Sequence, residues 1–157
     1  MRYLLIDRIL EFECSRRVVA VKNVTLESDV LADHFPGFPL FPGALTLESM
    51  AQAAGYLLIR SALETTGQTV AAALTAVERA QFRRPVRPGD QVRVTVELVA
   101  STPNVAQVIA LTAVEGQTTG KARLVLGQRA LDGDVHPELV QAMRRLFRSL
   151  ERSEGLL

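Results

Sequence analysis

The sequence is poor in cysteine, in net charge and in long apolar runs. Cys14 is the single cysteine among 157 residues, so an intramolecular disulfide is impossible and a reducing compartment is expected. The formal net charge is only +1, and the charge balance of the whole chain therefore predicts binding to neither nucleic acid nor a membrane surface. No uninterrupted apolar run reaches the ~20 residues that a membrane-spanning helix needs.

The start of the chain also lacks the apolar core of a secretory signal peptide. Asp7, Arg8, Glu11 and Glu13 interrupt the segment in which that core would have to form. The rest of the composition, 48% hydrophobic and 22% charged, is ordinary for a globular protein. These features together predict one domain-sized chain in the cytoplasm, with no membrane segment.

Apolar periodicity predicts an α+β fold in which one long helix is segregated from a run of strands. The helix is expected over about residues 44–63, because only Gly55 interrupts a segment that is too long for a strand. Since this helix is apolar on almost every side, a strongly curved antiparallel sheet and a second subunit are expected to bury it. Strands are expected over 18–24, 70–77 with a continuation to 82, 91–99, 105–114 and 118–126. A short opening helix over 2–10, an irregular segment over 25–33, a linker over 130–135 and an amphipathic C-terminal helix from Pro137 complete the prediction.

His34 is the first candidate for chemistry, because histidine is the side chain most easily placed as a base near neutral pH. It opens a segment that contains Pro36, Pro39 and Pro42. Proline fixes one backbone angle and removes a donor, and so the segment is expected to form a rigid, non-helical entry to the long helix. A lone histidine is nevertheless more often structural than catalytic.

Glu48 is the second candidate, because it is the only formally charged residue between positions 44 and 59. Such a carboxylate either reaches water at the helix edge or is buried with a partner, and the spacing leaves both interpretations open. Burial without a full partner would disfavour the charged form and give an acid able to donate a proton near neutral pH. Gln52 lies one turn later on the same face and is placed to orient Glu48.

Gly43 is the third candidate, because it stands where the long helix begins. The first turn of a helix presents unpaired N–H groups, and glycine allows a substrate oxygen to approach them closely, as in an oxyanion hole. A base, an acid and an oxyanion donor suit proton abstraction next to a carbonyl group, with loss or addition of water. One histidine and one glutamate fall short of a usual ligand set, so no metal site is expected.

The order of these residues resembles the active-site signature of a known family. The segments His34-Phe35-Pro36-Gly37, Pro42-Gly43-Ala44-Leu45 and Ala51-Gln52, together with Pro39 and Glu48, are similar to those of the FabZ-type β-hydroxyacyl-acyl carrier protein dehydratases. The similarity extends over about residues 2–127. It divides the chain into a dehydratase-like domain, 1–127, and a linker with a C-terminal helical extension, 128–157.

The resemblance implies a hot-dog fold, in which a curved antiparallel sheet wraps a long central helix. It implies reversible dehydration of a (3R)-3-hydroxyacyl thioester to a trans-2-enoyl thioester in fatty-acid or related acyl-chain biosynthesis. His34 would remove the α-proton, and Glu48 of the other subunit would protonate the departing hydroxyl group. The implied substrate-binding residues are Gly43, Gln52, Phe35 and Pro42.

The implied partners follow from the same resemblance. The acyl group would arrive on the phosphopantetheine of acyl carrier protein, with no other cofactor, and Arg83 and Arg84 are candidates for docking that acidic carrier. The protein would form a homodimer with shared active sites, which in this family often assembles further into a trimer of dimers.

The chain departs from the family pattern at two places, and other functions stay open. Asp33 stands where a glycine is expected, and this carboxylate beside the proposed base either biases the protonation of His34 or points to water. Ala71 to Leu74 replace the usual aromatic residues, which leaves the acyl-length preference open. The alternatives are a hot-dog thioesterase or CoA-dependent hydratase, or a non-catalytic thioester-binding subunit of a synthase complex, because the fold alone does not fix the reaction.

Overall fold

The structure is a computed structural model that describes residues 3–131 and 137–151. Within these ranges, six strands and three helices follow one another along the chain. They are β1 (Arg8–Glu13), β2 (Arg17–Asn23), α1 (Asp29–Asp33), α2 (Gly43–Thr66), β3 (Val70–Phe82), β4 (Gln91–Ser101), β5 (Val105–Val114), β6 (Gln117–Ala130) and α3 (Pro137–Glu151).

The six strands form a single sheet in the order β1-β2-β4-β5-β6-β3, with every neighbouring pair antiparallel. Strand β4 shows why these segments form a half-buried sheet. Val92, Val94 and Val96 are buried, whereas Arg93 and Glu97 on the opposite face are exposed. The apolar face of the sheet packs on α2, which contacts five of the strands. The predicted α+β class and the hot-dog fold are confirmed.

Helix α2 is the central element, and its ends follow the signals in the sequence. Pro42 precedes it in an extended conformation, and Gly67 ends it in the left-handed region at φ 72°, with its N–H donating to Leu63 O at 3.1 Å. Met50 and Leu57 are fully buried between these ends. The helix is 24 residues long, slightly longer than the expected one.

Two expectations for the first third of the chain are wrong. Residues 3–7 are not helical, and β1 begins at Arg8, because pairing with β2 outweighs the local preference of an apolar segment for helix. The buried Leu5 N–H donates instead to Gln52 Oε1 at 2.8 Å. The segment 25–33 was expected to be irregular, but its last five residues form α1.

The C-terminal helix α3 is present, and it packs on the same chain. Leu150 is buried, and the ring of Phe147 meets the ring of Tyr56 edge to face at 4.9 Å. Arg144 and Arg148 are exposed. The expected linker over 130–135 begins with Ala130, which still belongs to β6, and residues 132–136 lie outside the described residues. The domain boundary at residue 127 stays a prediction.

Strand β3 lies at one edge of the sheet and pairs only with β6 within the described chain. Most of its 13 residues are exposed, including Leu74 and Val77. Such an edge offers unpaired backbone groups to another strand.

In the described ranges, no helix is both long and apolar enough to cross a bilayer.

Candidate active site

His34 directly follows α1, and a backbone contact fixes its ring. Its Nδ1 lies 2.9 Å from the carbonyl oxygen of Leu40, and the Leu40 N–H donates back to the His34 carbonyl at 2.8 Å. Since a carbonyl oxygen can only accept, Nδ1 must carry the hydrogen in this contact. The neutral ring then has its lone pair on Nε2, which is the form that a general base requires.

The neighbours of His34 differ in their contacts. The Phe35 ring stacks on the imidazole with centroids 4.3 Å apart, and the peptide bond between the two residues is cis. Asp33 is exposed and, in the described parts of the chain, neither a hydrogen bond nor an ion pair joins it to His34. Asp33 therefore points to water, one of the two outcomes open from the sequence.

Gly43 occupies the first position of α2 and has a free backbone donor. The N–H groups of Leu45 and Thr46 both donate to Pro42 O at 3.0 Å, whereas the Gly43 N–H finds no acceptor among residues 3–131 and 137–151. The ring of Phe82 covers the α-carbon so closely that a Cβ at Gly43 would lie 3.1 Å from it. An alanine here would therefore require the Phe82 ring to move by a few tenths of an ångström, a contact that glycine avoids.

His34 and Gly43 line the same cavity of about 300 Å³. The loop Leu40–Phe41 forms one wall of the cavity. The Phe41 N–H donates to Val86 O at 2.8 Å and so fixes this loop to Val86, another residue of the cavity lining. The cavity thus brings a free imidazole nitrogen and an unpaired helix N–H to one space.

Glu48 is half-buried one and a half turns further along α2, and Gln52 holds it. Gln52 Nε2 donates to Glu48 Oε1 at 3.0 Å. The same amide accepts from Leu5 N–H at 2.8 Å, so the N-terminal segment fixes the orientation of Gln52. None of the ion pairs found in the described ranges includes Glu48.

Glu48 does not share the His34 cavity within one chain. It lines a second, apolar cavity of about 510 Å³, which Gln52 and Tyr56 also line. Because an α-helix turns through about 100° per residue, Gly43 and Glu48 point in directions roughly 140° apart around α2. Within one chain, His34 and Glu48 therefore face different cavities.

The two candidate docking residues lie beside His34. Arg83 and Arg84 are exposed and line the His34 cavity, and their backbone N–H groups donate to Thr119 O at 2.8 and 3.4 Å. In the described parts of the chain, no carboxylate forms an ion pair with either guanidinium group. Both charges remain available to an acidic ligand.

Thr46, Tyr56 and Phe82 are among the cavity residues that sequence reasoning missed. Thr46 and Phe82 line the His34 cavity, and Tyr56 lines the Glu48 cavity. The spacing of Glu48, Gln52 and Tyr56 at four-residue intervals places them on one face of α2 and could have identified the third. In the part of the chain that the structure describes, no group of three or more metal-binding side chains is placed to hold an ion.

Comparison with known proteins places this geometry in a family. The family model described as the FabA-like domain matches residues 1–123. A 3-hydroxyacyl-acyl-carrier-protein dehydratase FabZ from Symbiobacterium thermophilum is 53% identical over 98 residues, which are 62% of this chain and 67% of the relative. The enzyme of the same name from a Hydrogenobaculum species is 37% identical over 129 residues, covering 82% and 86% of the two chains.

A solved structure agrees at the level of the fold. A chain of the dehydratase heterocomplex ApeI:P from Xenorhabdus doucetiae superposes with a TM-score of 0.70 over 90% of both chains, at 17% sequence identity. Since the family model and the curated relatives cover most of the described domain, this chain belongs to the FabA-like family and, within it, to the FabZ-type dehydratases.

Proposed function

We propose that this protein catalyses reversible dehydration of (3R)-3-hydroxyacyl-acyl carrier protein to trans-2-enoyl-acyl carrier protein. The observation that carries the proposal is the His34 ring, whose Nδ1–H is bound to Leu40 O and whose Nε2 is left as the basic nitrogen. The names of the curated relatives support the same reaction. The reaction belongs to fatty-acid or related acyl-chain biosynthesis.

The proposed mechanism uses three groups. His34 Nε2 removes the α-proton of the substrate, and the electrons move toward the thioester carbonyl. The Gly43 N–H stabilises the charge that develops on the carbonyl oxygen. Glu48 in its acid form protonates the β-hydroxyl group, which leaves as water while the α,β double bond forms. Phe35 and Pro42 flank the substrate, and Gln52 holds Glu48 in position.

The proposal includes a homodimer, because the groups that must meet face different cavities of one chain. The open edge of β3 supports it, since two such edges related by a two-fold axis can pair and continue the sheet. His34 of one subunit would then face Glu48 of its partner. A trimer of such dimers is compatible with the same interface.

The carrier and the location form the last parts of the proposal. Arg83 and Arg84, exposed at the His34 cavity, suit the phosphate of phosphopantetheine or the acidic surface of a carrier protein. The acyl group is delivered on that arm, and the steps above require no further cofactor. The lone Cys14 is compatible with a cytoplasmic location.

Hydration of crotonyl-carrier protein tests the reaction directly. Wild-type protein should hydrate it faster than crotonyl-CoA, and His34→Ala should lower kcat/KM by about 10²–10⁴-fold, the range of general-base catalysis. Glu48→Gln should lower kcat with an unchanged unfolding temperature. A wild type that hydrates neither thioester would refute the dehydratase function, and full activity of His34→Ala would refute the assigned base.

A further inference from the structure

The C-terminal helix α3 forms one wall of the cavity that begins at Glu48. Met143, Leu146 and Phe147 line it opposite the α2 residues Gln52 and Tyr56. The family model ends at residue 123, so this wall belongs to a part of the chain that the model does not cover. At about 510 Å³ the cavity has the size of a ligand site.

The chemistry of the lining indicates an aliphatic ligand. Ala71, Ala72 and Ala73 of β3 contribute methyl groups only, and Gly55 of α2 contributes no side chain, which leaves room beside the helix. The polar groups of Glu48 and Gln52 stand together at one end. Apart from them, the side-chain hydroxyl groups on the lining belong to Tyr3, which is 60% exposed, and to Tyr56, whose hydrogen bond Glu151 already accepts.

Contacts to α2 and β1 hold α3 in this position. Glu151 accepts from the Tyr56 hydroxyl and, at 3.3 Å, from Arg60 Nε. Leu150 is only 2% exposed, and Phe147 packs edge to face on Tyr56. The helix is therefore fixed by a buried apolar contact and by a polar one at its C-terminal end.

We propose that α3 closes the far part of the acyl cavity and determines which acyl lengths the enzyme accepts. This inference rests on the proposed function, because Glu48 marks the end at which the reacting carbons lie. From Glu48 to Ile59, α2 advances about 16 Å along the cavity. Since three bonds of an extended chain span about 3.5 Å, this length corresponds to roughly fourteen bonds of an acyl chain.

Met143 is the best position to test the proposal, because it is half-buried, lines the cavity and lies outside the main core cluster. Met143→Trp should fill the space opposite α2. We expect the ratio of kcat/KM for dodecenoyl-carrier protein to that for crotonyl-carrier protein to fall at least tenfold. Met143→Phe, a milder change, should lower the same ratio less and provides the test if the tryptophan variant does not fold.

Ala142→Trp is the matched control. Ala142 is the exposed neighbour of Met143 on α3 and does not line the cavity, so the same bulk placed there should leave the ratio at the wild-type value. An equal loss at both acyl lengths, or an unchanged ratio in both Met143 variants, would overturn the inference.

A binding measurement separates this inference from the proposed reaction. Dodecanoyl-carrier protein cannot be dehydrated, and calorimetric titration measures its affinity whether or not the protein is a dehydratase. Wild type and Ala142→Trp should bind it equally, and Met143→Trp at least tenfold more weakly. A wild type that binds dodecanoyl-carrier protein but hydrates nothing would refute the reaction alone, whereas equal affinity in all variants would refute the role of α3.

Discussion

His34 and Glu48 line two different cavities of the same chain. The loop that follows α1 carries His34 to the cavity at the start of α2, beside Gly43. Glu48 points away from that space, because five residues of helix rotate it by about 140° relative to Gly43. In the proposed dimer, a second chain brings its own Glu48 to the His34 cavity of the first.

Mixed dimers should therefore recover activity from two inactive variants. A dimer of one His34→Ala subunit and one Glu48→Gln subunit contains one site with both groups intact and one with neither. We expect about half of the wild-type kcat from such a dimer, as two-fold symmetry predicts. The measurement uses two affinity tags to purify the mixed species after co-expression.

Each homodimer of the two variants serves as the control in that experiment and should be nearly inactive. If the mixed dimer is as inactive as its parents, the two groups act within one chain, and the shared site is wrong.

Substitution of Gly43 by alanine should disturb both packing and activity. The new Cβ would lie 3.1 Å from the Phe82 ring, so the ring must shift by a few tenths of an ångström. Because Phe82 is 48% exposed, the cost in the free energy of unfolding should be about 1 kcal/mol, the lower end of the range for overpacking. The shifted ring and the added methyl group obstruct access to the Gly43 N–H, and kcat/KM should fall at least tenfold. Chemical denaturation and enoyl hydration measure the two effects.

Gly55→Ala is the matched control for stability within the same helix. A Cβ at Gly55 meets no atom within 4 Å, and alanine should raise the free energy of unfolding by about 0.5–1 kcal/mol. Equal stability changes at the two glycines would show that the Phe82 contact does not restrict position 43.

Replacement of Gln52 by leucine should lower both the free energy of unfolding and kcat. The variant removes the donor to Glu48 and leaves the buried Leu5 N–H without its acceptor, which should cost about 1–3 kcal/mol of stability. A misplaced Glu48 should also lower kcat by up to about 100-fold. The same change at the exposed Gln68 should alter neither quantity, and a Gln52 variant with wild-type kcat would contradict the orienting role.

Local pattern was sufficient to predict the elements that the core requires. The valine alternation of β4 and the apolar length of α2 each admitted one interpretation, and both are confirmed. The segment around Leu5 and Ile6 was misjudged because its composition suits a helix as well as an extended chain. Its backbone conformation depends on Gln52, 47 residues away, and no local window contains that contact.

The candidate site was predictable because its residues, like those of α2 and β4, lie close together along the chain. His34, Gly43 and Glu48 lie within one short stretch, so their spacing and their resemblance to a family could be read together. The wall that α3 adds was not predictable, since Tyr56 and Glu151 stand 95 residues apart and only the folded chain joins them.

That long-range contact gives the protein a specific response to alkaline pH. Burial, and then the hydrogen bond and negative charge of Glu151, raise the pKa of Tyr56 well above its ordinary value of 10.0, while the nearby Arg60 opposes the shift. The folded state keeps the phenol proton where the unfolded chain releases it. The resulting stability is complete below pH 10 and is lost as the pH rises toward the folded-state pKa.

Tyr56→Phe should therefore flatten the pH dependence of unfolding. Above pH 10, the free energy of unfolding of the wild type should fall more steeply than that of Tyr56→Phe, as measured by denaturant titrations at a series of pH values. Tyr3, the other of the two tyrosines, is 60% exposed, and Tyr3→Phe should keep the wild-type slope. If both variants follow the wild-type curve, the phenol of Tyr56 does not stabilise the contact with α3.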